Sequence, residues 1–186
     1  SDLVHGDVEV AALVRANNEG ELFQVHLHGS GRVGTENGYY LDVTKKHGKT
    51  SIRISRLLRG TNTVLATEEL DFDLDVDTWY QVVFGRQGNA LNGKVWPYGE
   101  AEPEDWQITF DDDMYIDFGK VGVGHDSTGM VNDWKYFSVG TYGEHAGRAP
   151  DDLIEGVDKS VLQRRVQEIG DKHLNEENYS PESWED

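Results

Sequence analysis

The sequence predicts an all-β fold: two antiparallel sheets packed as a sandwich, followed by a short C-terminal α-helix and an extended tail. Three observations carry that prediction. Apolar residues recur at every second position in runs of about seven residues, the period of a strand with one buried face. Turn-forming Gly, Asn and Asp separate these runs at a spacing of roughly 8–12 residues, as in a sandwich or barrel. No stretch of helical period interrupts them before Pro150, so a parallel βαβ sheet is not expected.

In chain order, Val8, Val10, Ala12 and Val14 share one parity and open the series. Leu22, Val25 and Leu27 mark the next strand, and Gly29, Ser30, Gly31 and Gly34 the loop after it. Tyr39, Leu41 and Val43 follow, then a turn at His47-Gly48, then Ile52, Ile54 and Leu58. Gly60-Thr61-Asn62 turns the chain into Val64 and Ala66. Trp79–Phe84, Leu91–Trp96, Ile108–Phe110, Val121–Val123 and Trp134–Val139 complete about ten strands. Trp79 and Phe84 are expected in the core. After Pro150 the period changes. Leu153, Val157, Val161 and Ile169 fall on or near one helical face, with Asp151 and Asp152 at its start and Gly170 at its end. The organisation expected is a sandwich over residues 1–149 and a helix with an acidic tail over residues 150–186. In that second segment Leu153, Val157, Val161, Ile169 and the tail aromatic Trp184 would dock on the sandwich or on another chain.

Composition narrows the function. The 186 residues suffice for one domain with a core and an appendage. The net charge of −18, from 35 acidic against 17 basic residues, repels a phosphate backbone, so no nucleic-acid partner is expected. No apolar run is long enough for a membrane-spanning helix. There is no cysteine and so no disulfide framework. The acid is dispersed: residues 151–186 carry −7 and the other 150 carry −11. Dispersed carboxylates stay hydrated in concentrated salt, which screens their repulsion, and this points to a high-salt environment.

The segment from Trp79 is the most specific. D-x-W-Y with an alternating strand, then G-x-x-L-x-G-K-V-W-P-x-G, P-E-x-W, G-K-V-G-V-G and D-W-K-Y-F-S-V-G, resembles the concanavalin A-like lectin/glucanase superfamily in its laminin-G-like branch. GYYLDV and SIRISRLLRG fit the middle strands, and the resemblance covers about residues 7–142. It implies a jelly-roll sandwich of the kind found in carbohydrate-binding modules and in phage or viral structural proteins. It also implies one or two strands ahead of Val8. A partner or the C-terminal segment would supply that edge, or the chain would be a processed piece.

Glucanases of the superfamily carry Glu-x-Asp-x-x-Glu, whose outer carboxylates act as nucleophile and acid/base. Glu69 and Asp71 begin that pattern here, but Leu74 takes the last position. Asp71, Asp73, Asp75 and Asp77 alternate with Phe72, Leu74 and Val76, the pattern of a solvated edge. No enzyme is therefore expected, with a glycoside hydrolase as the remote alternative. Structural calcium would draw on Asp111, Asp126 and Asp133, carboxylates in or near turns. The resemblance places Asp133 where such modules hold the ion. His26 and His28, one residue apart on a strand, are expected to point the same way. A polar face is favoured over zinc, since no third ligand is identifiable.

Sugar rings present apolar C–H faces that stack on Trp and Tyr. With Leu91 and Val95 inward, Lys94 and Trp96 face outward. Trp96, Tyr98, Trp106 and Tyr136 are the candidate carbohydrate platform, although packing under a loop or under the C-terminal helix is the preferred reading for Trp96. The function expected is a non-enzymatic surface module, a virion decoration or host-attachment protein of a salt-adapted virus. Its partners would be host-surface glycan, other virion proteins and further copies of itself, at the virion surface or outside the cell. The alternative is a carbohydrate-binding module of a secreted halophilic enzyme.

Overall fold

The computed structural model describes residues 4–17, 21–32, 34–46, 48–76, 78–114, 116–125 and 131–154. Eleven strands run through them: β1 Val4–His5, β2 Val8–Ala16, β3 Glu21–Ser30, β4 Asn37–Lys46, β5 Lys49–Leu58, β6 Thr61–Glu69, β7 Trp79–Gln87, β8 Ala90–Pro97, β9 Ile108–Asp111, β10 Phe118–Gly124 and β11 Asn132–Thr141. They form two wholly antiparallel sheets, one ordered β1-β10-β3-β4-β5-β6 and the other β11-β2-β7-β8-β9. The sandwich is thus all-β, as the alternation predicts. The short β1 is an additional strand, paired with β10 at the edge of the six-stranded sheet.

Alternation explains which side chains meet between the sheets. Val10 and Val14 of β2, Val82 and Phe84 of β7, and Leu91 and Val95 of β8 pack against the other sheet. That sheet supplies Val25 and Leu27 of β3, Leu41 and Val43 of β4, and Ile52 and Ile54 of β5. Register keeps the inward sets opposite one another, as in Val10↔Phe84, Val82↔Val95 and Leu41↔Ile54. One inward position on β8 must be small: a Cβ on Gly93 would stand 2.5 Å from Leu41 Cδ1 and 3.0 Å from Ile108 Cγ2. Arg59 and Gly60 both have positive φ, 50° and 75°, giving the primed two-residue turn that suits a twisted β5–β6 hairpin.

Two expectations about inward residues need correction. Trp79 is not core. Tyr80, Val82 and Phe84 take the inward parity, so Trp79 points out, half-buried, with Arg15 Cζ 5.1 Å and Lys135 Nζ 5.6 Å from its ring centroid. His26 and His28 do not continue one simple alternation. The β3–β4 register shifts between Leu27 and Ser30, and His28 adopts φ 55°. His26 stacks edge-on to Tyr40, with centroids 4.3 Å apart, and burial lowers its pKa to about 4 against the opposing pull of Asp42.

The segment after β6 behaves as its pattern requires. Leu70 and Leu74 are buried in the core, Phe72 is half-buried, and Asp71, Asp73 and Asp75 are exposed. The chain divides into two compact units, residues 1–150 and 151–186. Of the second, residues 151–154 are described and form turns and bends, with Leu153 among them. The helix expected from Asp151 and the residues Val157, Val161, Ile169 and Trp184 lie outside the described residues.

Replacing Gly93 by Val drives methyl groups into Leu41 and Ile108. The expected cost is about 1–3 kcal/mol, read as a lower urea midpoint with an unchanged slope. A midpoint equal to the wild type's would show that the sheets do not meet at this position.

Candidate functional site

The outer face of the five-stranded sheet is covered rather than solvated. Residues 142–150 leave β11, and Ala146 joins Ala11, Val83 and Trp96 in a second apolar cluster with Trp106 against it. Gly140 makes the return possible, because a Cβ there would lie 2.1 Å from Glu144 O. The strap is pinned along its length. Ser138 Oγ donates to Gly147 O (2.5 Å), Ala149 N donates to Gln81 Oε1 (3.1 Å), and the Tyr98 hydroxyl donates to Pro150 O.

A chain of charges crosses the same face. Glu9 of β2 has a side chain only 9% exposed. It accepts from Ala146 N (3.1 Å) and Arg148 Nη1 (2.8 Å), and lies 3.1 Å from His145 Nδ1. Arg148 grips Glu102 with two parallel bonds, Nε to Oε2 at 2.8 Å and Nη2 to Oε1 at 2.9 Å. Glu102 Oε1 in turn meets Lys94 Nζ at 2.6 Å. Lys94 also donates to Pro103 O (3.0 Å) and stands 4.7 Å from the Trp106 ring centroid and 6.0 Å from that of Trp96. The hydrogen bonds from Arg148, with help from Lys94 and against partial burial, hold the Glu102 carboxyl at about 2. Burial alone would lower the Arg148 pKa, yet its bonds to Glu102 and Glu9 raise it.

A cleft of about 560 Å³ lies where the loop after β6 approaches the β8–β9 connection. Trp96 and Trp106 line it, with Glu68, Asp71, Glu104 and Asp105. Trp96 is 3% exposed, and its indole N–H reaches no acceptor among the described residues. Trp106 is partly exposed and also borders a smaller cavity beside Glu9 and His145.

The four expected platform residues therefore separate. Trp96 and Trp106 come together at the cleft. Trp96 and Tyr98, each 3% exposed, are not an exposed platform. The strap covers Trp96 because β8 turns it to the face where Ala146 lands, and the Tyr98 hydroxyl is occupied by Pro150. Tyr136 is on β11, three strands from β8, where a Cβ on strap residue Gly147 would come within 2.9 Å of its hydroxyl. Sequence reasoning missed Glu9, Glu102 and Arg148. Their only signal was the acidic P-E-x-W segment beside an outward Lys94.

Two of the three calcium candidates, Asp111 and Asp133, do not converge. Asp111 on β9 and Asp133 on β11 stand at opposite edges of one sheet, roughly 19 Å apart at the usual strand spacing. Asp133 is taken up by Arg15 Nη2 (2.5 Å) and Asn17 Nδ2 (3.2 Å), which hold its carboxyl below the usual range. Asp126 lies outside the described residues. Among the described residues no three His, Cys, Asp or Glu side chains are grouped to hold a metal ion. Asp112, between Asp111 and Asp113, is a buried tie, accepting from Tyr39 Oη (2.8 Å) and Arg56 Nη1 (2.5 Å). In the glucanase-like run, Leu74 is 2% exposed in the core and Glu69 is paired with Lys49 Nζ at 2.7 Å.

No family model and no curated protein matches the chain. Solved structures do. A carbohydrate-binding module, CBM66 from Bacillus subtilis, superposes with a TM-score of 0.59 at 13% identity over 75% of this chain and 77% of that one. The enzymatically active domain of bacteriophage CBA120 tailspike protein 2 gives 0.51 at 16% identity, over 77% of this chain and 24% of that one. A functionally unknown protein from Saccharomyces cerevisiae gives 0.52 at 9% identity, over 75% and 72%. At such identities the likeness is one of fold.

Because Glu102 titrates at about 2 rather than 4.5, its contribution is full above about pH 4.5 and is lost as the pH falls toward 2. Discounted for partial exposure, that contribution is about 1–2 kcal/mol. Glu102→Gln is expected to lose this much at pH 7 by urea unfolding, with the gap to wild type closing as the pH falls to about 2. A gap that stays constant with pH would contradict the charge chain.

Proposed function

We propose that the sandwich is a non-enzymatic glycan-binding module whose site is the Trp96–Trp106 cleft. The observation that carries this reading is the part-exposed Trp106 ring beside Trp96 in one concave site. A ring accepts the C–H face of a sugar, and polar groups beside it take the hydroxyls. The fold likeness to a carbohydrate-binding module supports it. Leu74, buried where a glucanase-type run would need its second carboxylate, supports binding without hydrolysis.

The wider setting we propose is a particle-surface or extracellular assembly in concentrated salt, where several copies display the cleft to host glycan. The dispersed net charge of −18 and the fold likeness to a phage tailspike support that setting.

Glycan-array screening followed by calorimetry tests the site. Trp106→Ala is expected to weaken binding about tenfold or more, as losing a ring contact of roughly 1.5–3 kcal/mol would. Unchanged affinity in that variant moves the site elsewhere. Cleavage of the bound oligosaccharide by the wild type overturns the non-enzymatic reading.

A further inference from the structure

Trp106 borders two hollows. Besides the cleft, it lines a cavity of about 180 Å³ with Glu9, Gly85, Asn92 and His145, and it is the residue that the two linings share. The outward positions of β8 show where the ring stands. With Leu91 and Val95 in the core, Asn92, Lys94 and Trp96 belong to the outer face. Trp96 lines the larger hollow and Asn92 the smaller. Lys94, midway between them, has its Nζ 4.7 Å from the Trp106 ring centroid. Next to Trp106, Gln107 N donates to Gly93 O (3.1 Å), which holds the backbone at that same level of β8. The ring therefore stands between the hollows.

The floor of the smaller hollow is a second, independent observation. Glu9 of β2, Gly85 of β7 and Asn92 of β8 lie side by side across the sheet, so the middle of that row has no side chain. A glycine inside a strand weakens it and often marks the close approach of a ligand or another backbone. Here neither backbone nor packing demands one. Gly85 is not among the residues of positive φ, and a Cβ on it would make only ordinary contact, 3.5 Å from Glu9 Cγ. The bare floor thus leaves room for an occupant. Asn92 beside it offers a donor and an acceptor, as a sugar hydroxyl requires. From Asn92 to Trp96 the strand rises roughly 13 Å, a span longer than one sugar unit.

Resting on the glycan-binding reading above, we infer that the site continues across Trp106 into the hollow over Gly85. Its ligand is a glycan chain held along its length, not a single terminal sugar. One unit stacks on the Trp106 ring, which Lys94 backs. The next unit lies over Gly85, and the Asn92 amide takes its hydroxyls. Stacking and short-range hydrogen bonds to a neutral amide are not screened as exposed charges are, so this recognition persists in concentrated salt.

The test is calorimetric titration in concentrated salt with neutral oligomers of glucan, galactan, mannan, xylan and fructan, each from the monosaccharide to the hexasaccharide. In the series that binds, affinity is expected to rise at least about tenfold with length, a difference of about 1.4 kcal/mol, and to level off once both hollows are filled. Gly85→Leu fills the smaller hollow and Asn92→Ala removes its amide. Each is expected to lose most of the gain with length and to keep the wild-type affinity for the monosaccharide, which also shows that the variant is folded. Trp106→Ala is expected to weaken binding at every length. Equal affinity for the shortest and longest oligomers in the wild type overturns the extension and leaves the cleft as a glycan site. A gain with length that survives in both Gly85→Leu and Asn92→Ala does the same. Binding of no oligomer in any series overturns the cleft together with its extension.

Discussion

The structure depends on the charge chain Glu9–Arg148–Glu102–Lys94. Burying charges is expensive, and removing one partner of a buried pair leaves the other uncompensated, a loss of about 3–5 kcal/mol when burial is complete. Here each member is held by more than one bond: Glu9 by a backbone N–H and Arg148, Glu102 by a two-point guanidinium grip and Lys94. The chain links β2, the strap after β11, the β8–β9 connection and β8 itself. Because those elements are far apart in sequence, one network fixes where three of them lie. The strap thereby covers Trp96, and Lys94 is set beside Trp106.

The two outer faces of the sandwich consequently differ. On the five-stranded sheet, Ala11, Val83 and Trp96 are roofed by Ala146, so both faces of β2 and β7 are buried. On the six-stranded sheet, the outer face carries side chains that satisfy one another. Asp42 accepts from Gln24 Nε2 at 2.5 Å, Arg53 Nε at 3.0 Å and Ser55 Oγ at 3.0 Å, and His26 adjoins Gln24 at 3.2 Å. A face whose polar groups are already paired offers little to a ligand. The cleft beside the roofed sheet, by contrast, keeps a part-exposed Trp106 ring and carboxylates without an ion-pair partner among the described residues, which is why the functional reading rests there.

Alternation made most of the fold legible. Val8 to Val14, Leu41 to Val43, Ile52 to Ile54 and Leu91 to Val95 each announce a strand whose inward residues the core uses. The two-residue β1 is too short to carry a period. Trp79 and Phe84 stand five positions apart on one strand and so face opposite ways, and Tyr80, Val82 and Phe84 take the inward face. The site was only half legible. Outward Lys94 and Trp96 follow from the inward Leu91 and Val95. The strap, GEHAGRAP, has no period at all, and its pairings to Glu9 and Glu102 join residues 139 and 46 positions apart. Such contacts follow from tertiary geometry, not from local pattern, and so the burial of Tyr98 and the remoteness of Tyr136 from the cleft were invisible as well.

The most direct measurement is a two-dimensional nitrogen–proton NMR titration of the tryptophan indole groups with an oligosaccharide that binds on a glycan array. The cleft account predicts that the Trp96 and Trp106 indole resonances move together and saturate at one binding constant, while those of Trp79 and Trp134 stay in place. Saturable binding that shifts Trp79 or Trp134 and leaves Trp96 and Trp106 unmoved would contradict it.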